Sequence, residues 1–150
     1  MSIAFKFRSK LTDGYLIPAL VGTVATPLTS ADSQKSVKYS TGDNVLLCAD
    51  GDEIASFLAS VETTLAADGS KLGNIIDVTV GTRHKAVIAA GSTTVVAGTS
   101  LVVSAAQSAI GTADAYPKVK AGTPTTYKWI VRSILSGAGA AGSIVLLERV

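Results

Sequence analysis

Residues Val78 to Val103 read Val-Thr-Val-Gly-Thr-Arg-His-Lys-Ala-Val-Ile-Ala-Ala-Gly-Ser-Thr-Thr-Val-Val-Ala-Gly-Thr-Ser-Leu-Val-Val. Short runs rich in Val, Ile and Thr alternate with glycines at 81, 91 and 98. β-branched residues suit a pleated, half-buried surface, and glycine supplies the positive φ that tight turns need. The stretch predicts strands joined by short turns, as in the middle of a small barrel or sandwich. Working outward, the same punctuation continues. Val37-Lys38-Tyr39 and Asn44–Cys48 read as short strands, with hairpin signals at Asp50-Gly51 and Asp68-Gly69. X-Gly-Thr tripeptides recur around Gly22, Gly81, Gly98, Gly111 and Gly122 at uneven intervals, which marks turns or bulges rather than a solenoid repeat. Near the end, Tyr127, Trp129 and Val131 share one strand face. A Gly/Ala-rich connection at 136–142 then leads to a last apolar strand from Ser143, and the two runs are expected to pair antiparallel.

A chain of 150 residues is most simply one domain. It is 47% apolar but only 5% aromatic, so its core must come mainly from Val, Ile, Leu and Ala. Charged residues make up 16%, against roughly 25% in ordinary soluble proteins. With a mean hydropathy of +0.42, this points to surface covered by partner subunits or a larger assembly, although a compact monomer poor in charge would share the composition. A net charge of +2 gives no electrostatic case for nucleic acid. Cys48 is the single cysteine and sits in an apolar run, so it reads as a buried small hydrophobe. No apolar run approaches the roughly 20 residues of a membrane span. The first residues place charges where a signal peptide needs its apolar centre, so synthesis and folding in cytoplasm are expected.

Two segments read differently from the rest. Residues 1–10 alternate, with Ile3, Phe5 and Phe7 on one side and Lys6, Arg8 and Lys10 interleaved. This is a strand that either docks in the protein's own sheet or adds to a neighbouring molecule. Pro18 and Pro27 then interrupt regular structure, so 1–35 reads as an extended N-terminal arm, with 20–26 as an edge strand, preceding a β domain over 36–150. In Glu53–Leu65, residues Ile54, Phe57, Leu58, Val61 and Leu65 fit helical spacing, while Phe57, Ala59 and Val61 fit one face of a strand.

No catalytic constellation is apparent. His84, the one histidine, lies between Arg83 and Lys85 and reads as a surface or interface residue; no Gly-x-Ser-x-Gly elbow accompanies it. Asp50, Asp52 and Glu53 lack the ligand spacing of a calcium loop and read as a solvated hairpin tip. The glycines from Gly137 are followed by a strand, not the helix a dinucleotide site requires. No cofactor or metal is expected.

The order of motifs resembles the capsid decoration (cement) proteins of tailed bacteriophages, including the lambda-type head decoration proteins. The likeness covers 36–150. It runs through Thr41-Gly42-Asp43-Asn44-Val45, the Asp50–Leu58 segment, Gly81–Ile88 with Ala97-Gly98-Thr99-Ser100-Leu101, and the closing pair Trp129–Ile134 and Val145–Val150. Ser56 and Thr99 depart from residues frequent in that family. The resemblance favours a strand over 53–65. It implies an all-β, mainly antiparallel fold, a small barrel or sandwich of β-tulip type with an N-terminal arm. It also implies a structural virion protein on the outer capsid surface that stabilises the shell by clamping neighbouring major capsid proteins, commonly as a homotrimer at three-fold and quasi-three-fold positions. Phe5, Lys6, Phe7, Arg8, Lys10 and Tyr15 are then the candidate arm contacts, and Arg83, His84, Trp129 and Arg132 the candidate subunit contacts. The expected partners are the major capsid protein and other copies of the chain, with neither nucleic acid nor membrane. A tail-tube subunit or a glycan-binding sandwich are the alternatives, and an enzyme is the weakest.

Overall fold

A computed structural model describes residues 16–23, 25–40, 44–65, 71–104 and 116–150. Among these residues the chain forms strands β1 (Leu16–Val21), β2 (Ser36–Tyr39), β3 (Val45–Leu47), β4 (Ser56–Leu65), β5 (Lys71–Ile76), β6 (Arg83–Ile88), β7 (Ser100–Val103), β8 (Lys118–Ala121), β9 (Trp129–Ser136) and β10 (Ile144–Arg149). One short 3-10 turn covers Ser30–Asp32. The all-β reading holds, and Glu53–Leu65 resolves as strand from Ser56.

The strands close into two barrels of five, one after the other along the chain. The first has the order β1-β3-β2-β4-β5 and the second β10-β6-β8-β7-β9. Most neighbours are antiparallel; β1 with β3 and β6 with β8 are parallel. Closure removes the open sheet edges that invite pairing with other chains. The expected terminal pair is present, with β9 and β10 antiparallel and matched from Ile144↔Ser136 to Arg149↔Trp129. At Gly81 and Gly98 the Gly-Thr dipeptides take φ of +92 in both cases, the left-handed conformation their turns require.

The division at residue 35 is corrected. β1 is a wall of the first barrel, paired with β5 from Leu16↔Ile76 to Val21↔Lys71, and Val21 is fully buried. Pro18 stands opposite Asn74 of β5, and on its other side β1 meets β3 only at Val21↔Val45, so closure there is slight and little of that ladder exists for a proline to break. Leu28 also enters the first core, so 16–35 belongs to the β domain. The candidate arm residues Phe5, Lys6, Phe7, Arg8, Lys10 and Tyr15 lie outside the described residues, as does the Asp68-Gly69 turn signal.

The two barrels share a wall. Leu58 and Ile75 point into the first barrel, beside Val21, Val37 and Val45. Their neighbours Phe57 and Ile76 point outward and join Ile88, Leu101, Trp129 and Leu147 in the second core. Adjacent strand residues face opposite sides, so β4 and β5 are apolar on both. This explains why the β4 sequence satisfied a helical template.

Candidate interaction surface

The acidic run read as a hairpin tip is the joint between the barrels. The Gly51 N–H donates to the Val103 carbonyl at 2.9 Å, and the Val103 N–H donates to the Asp52 carbonyl at 3.0 Å. Asp50 accepts from Lys120 at 2.7 Å. Asp52 accepts from Lys38 at 2.5 Å and from the Ala49 N–H at 2.7 Å. Partial burial pushes the Asp52 carboxyl up, but the Lys38 bond and the Ala49 N–H outweigh it and hold it below the usual range. Glu53 reaches the segment before β9. Its oxygens accept from the N–H groups of Thr125, Thr126 and Tyr127 at 2.5, 2.8 and 2.7 Å, and from the Thr125 hydroxyl at 2.8 Å. These donors, led by the Thr125 and Tyr127 amides, pull the Glu53 carboxyl down to about 2. The three acidic side chains thus diverge onto separate partners. Among the described residues no group of three or more His, Cys, Asp and Glu side chains could hold a metal ion.

Behind these ion pairs the joint is aromatic. The Trp129 indole N–H donates to the Ile54 carbonyl at 2.9 Å. The Phe57 ring meets Trp129 edge-on at 5.3 Å and stacks on His84 at 3.8 Å. His84 is 7% exposed, and its Nδ1–H donates to the Lys85 carbonyl at 2.7 Å. Burial drives its imidazole down to about 4, so the ring is neutral at physiological pH. Cys48 is buried on the same core, and burial pushes its thiol up to about 12, far from a reactive thiolate.

His84 and Trp129 are therefore corrected from subunit contacts to inner residues of the chain's own core. The sequence contained the signal for His84. On a strand, flanking cations that face solvent require the residue between them to face inward. Arg83 and Arg132 do lie at the surface, and the structure brings them together. The Arg83 Nε lies 2.8 Å and the Arg132 Nε 3.4 Å from one oxygen of Glu148. Glu148 was missed by sequence reasoning; it faces Arg83 through the β10–β6 register, a pairing across 65 positions that no local pattern reveals.

Large apolar side chains also remain outside the cores: Val80 at 79% exposure, Val96 at 64%, and Leu16, Tyr39, Leu72, Leu135 and Val150 at between 36% and 51%. A shallow groove of about 360 Å³ on the first barrel is lined by Thr26, Pro27, Leu28, Lys38, Leu46 and Leu47. Its charged group, Lys38, is engaged by Asp52, so the groove offers no reactive set. Compared with protein-family models, curated proteins and solved structures, the chain matches none.

Proposed function

We propose that this chain is a structural protein of a tailed-phage particle that binds the outer capsid surface and clamps neighbouring major capsid proteins. The observation that carries the reading is the set of apolar side chains exposed on the double barrel. Seven large side chains from Leu16 to Val150 stand at least 36% exposed on a chain with 16% charge. Contact surfaces between proteins are depleted in charge at their centres, so a surface poor in charge that leaves large apolar side chains outside the cores supports coverage by partners. The polar groups with displaced acidities, by contrast, are spent on internal joints, as Glu53, Asp52 and His84 illustrate. The capsid setting comes from the sequence resemblance. In that setting three copies assemble at three-fold and quasi-three-fold positions. Phe5, Phe7 and Tyr15 anchor the arm, and Lys6, Arg8 and Lys10 guide it to the shell protein. Joining three arms in one trimer raises the effective concentration of each later contact.

The test is the number of copies in purified particles of the phage carrying this sequence, relative to the major capsid protein. Near-parity is the expected result. A count equal to a few rings would move the protein to the tail, and its absence from particles would overturn the proposal.

A further inference from the structure

The wall of the second barrel formed by β6, β10 and β9 carries an unbalanced positive charge. Arg83 and Lys85 lie on β6, with Glu148 opposite Arg83 and Leu146 opposite Lys85. Two register shifts between β9 and β10 leave Arg132 and Leu135 as the unpaired extra residues of β9. Bulges re-aim side chains, and here both extra residues are exposed: the Arg132 side chain at 56% and Leu135 at 45%. Glu148, only 19% exposed, is shared by two guanidinium groups through their Nε atoms. One carboxylate cannot balance both. Each guanidinium carries five N–H donors, so the pair offers more donors than one carboxylate can accept and keeps capacity for a second carboxylate. Lys85 adds a further cation, held 5.5 Å from the Tyr116 ring.

We propose that this wall is the docking surface for a carboxylate-rich face of the shell protein. An Asp or Glu of the partner enters between Arg83 and Arg132, and Leu135 packs beside it. The proposal rests on the capsid reading for the partner's identity, but the chemistry stands on the wall itself. A nucleic acid fits less well. Glu148 at the centre repels phosphate, the outward neighbours Leu135 and Leu146 are aliphatic, and the Tyr116 ring beside the wall is taken by Lys85.

The experiment compares the intact protein with the double variant Arg83→Gln/Arg132→Gln and with Leu135→Ser. Two probes are used: heads assembled without this protein, followed by co-sedimentation, and immobilised poly-L-glutamate. The substitutions leave the inward-facing core untouched, so each variant should melt in a single cooperative transition above the assay temperature, which confirms that it folds. On both probes the intact protein should weaken at least about tenfold between roughly 50 and 300 mM salt. The double variant should bind about tenfold more weakly at low salt and lose most of that salt dependence. Leu135→Ser should weaken head binding alone. If the intact protein ignores the heads but is held by polyglutamate through the two arginines, the capsid reading falls and the acidic-partner wall stands. If the double variant binds polyglutamate and heads like the intact protein, the wall proposal falls. Tight binding to a short DNA duplex that disappears in the double variant would also overturn it, in favour of a phosphate partner.

Discussion

Protonation of His84 should loosen the contact between the two barrels. The ring is stacked in the junction against Phe57, and its pKa falls from the usual 6.5 to about 4 because burial penalises the charged form. At about 1.4 kcal/mol per unit, that shift amounts to about 3 kcal/mol of preference for the neutral ring. The direction follows from proton counting. As the pH falls below 6.5 the unfolded chain takes up the proton first, and the folded chain resists until about 4. Stability is therefore fully present above pH 6.5, declines between 6.5 and about 4, and loses no more from this group below that. Urea unfolding at about pH 7.5 and about pH 4.5 should show a loss of between about 2 and 3 kcal/mol. Carboxylates contribute little in this window. Glu53 titrates between 4.5 and about 2, and Asp52 is held below its usual 3.8. His84→Phe keeps an aromatic ring against Phe57 and removes the titration, so its stability should be nearly flat over the same range. A loss in His84→Phe equal to that of the parent protein would refute the reasoning.

Glu53→Gln replaces one accepting oxygen with a donor facing the amides of Thr125 to Tyr127. Because the carboxylate is largely open to solvent, the expected loss at neutral pH is about 1–2 kcal/mol in urea unfolding. The stability that Glu53 provides is present above pH 4.5 and lost as the pH falls toward about 2, and that acid dependence should vanish in the variant. At Gly139, with φ of +83, a methyl group would run into the Val95 carbonyl oxygen, so Gly139→Ala should cost about 3 kcal/mol or more. Gly91 has the same φ of +83 but open space around it, so Gly91→Ala should cost only about 1–2 kcal/mol in the same unfolding assay.

Period-two patterning and turn glycines made most strands legible from the sequence: β2, β3, β6, β7 and the β9–β10 pair stand where they are expected. The second barrel was harder to see, because its partition depends on which face of β4 and β5 meets which core. Phe57 and Leu58 are equally apolar in sequence and belong to different clusters. β1 was hidden by Pro18, which normally argues against a strand but here lies where β1 and β3 pair only at Val21↔Val45. The role of Glu53 could not be read locally, since its partners lie 72 to 74 positions away. Of the candidate contacts, Arg83 and Arg132 proved to share one carboxylate, whereas neighbouring charges drew attention to His84 for the wrong reason.

The shared wall also sets an order of events at the ribosome. Once the chain has been made as far as Ile76, every strand of the first barrel exists, and it can close on Val21, Val45 and Ile75. Its outward residues Ile54, Phe57 and Ile76 must then wait for Trp129 and Leu147 to cover them. At roughly 5–20 residues per second, the delay is on the order of 4–14 s. During that interval the nascent chain presents a greasy patch beside a finished barrel. Such an intermediate attracts chaperones and sticks to its own kind when crowded on polysomes. A message truncated after the first barrel would therefore yield an aggregation-prone fragment, and slow decoding of the last seventy or so codons would prolong the exposure.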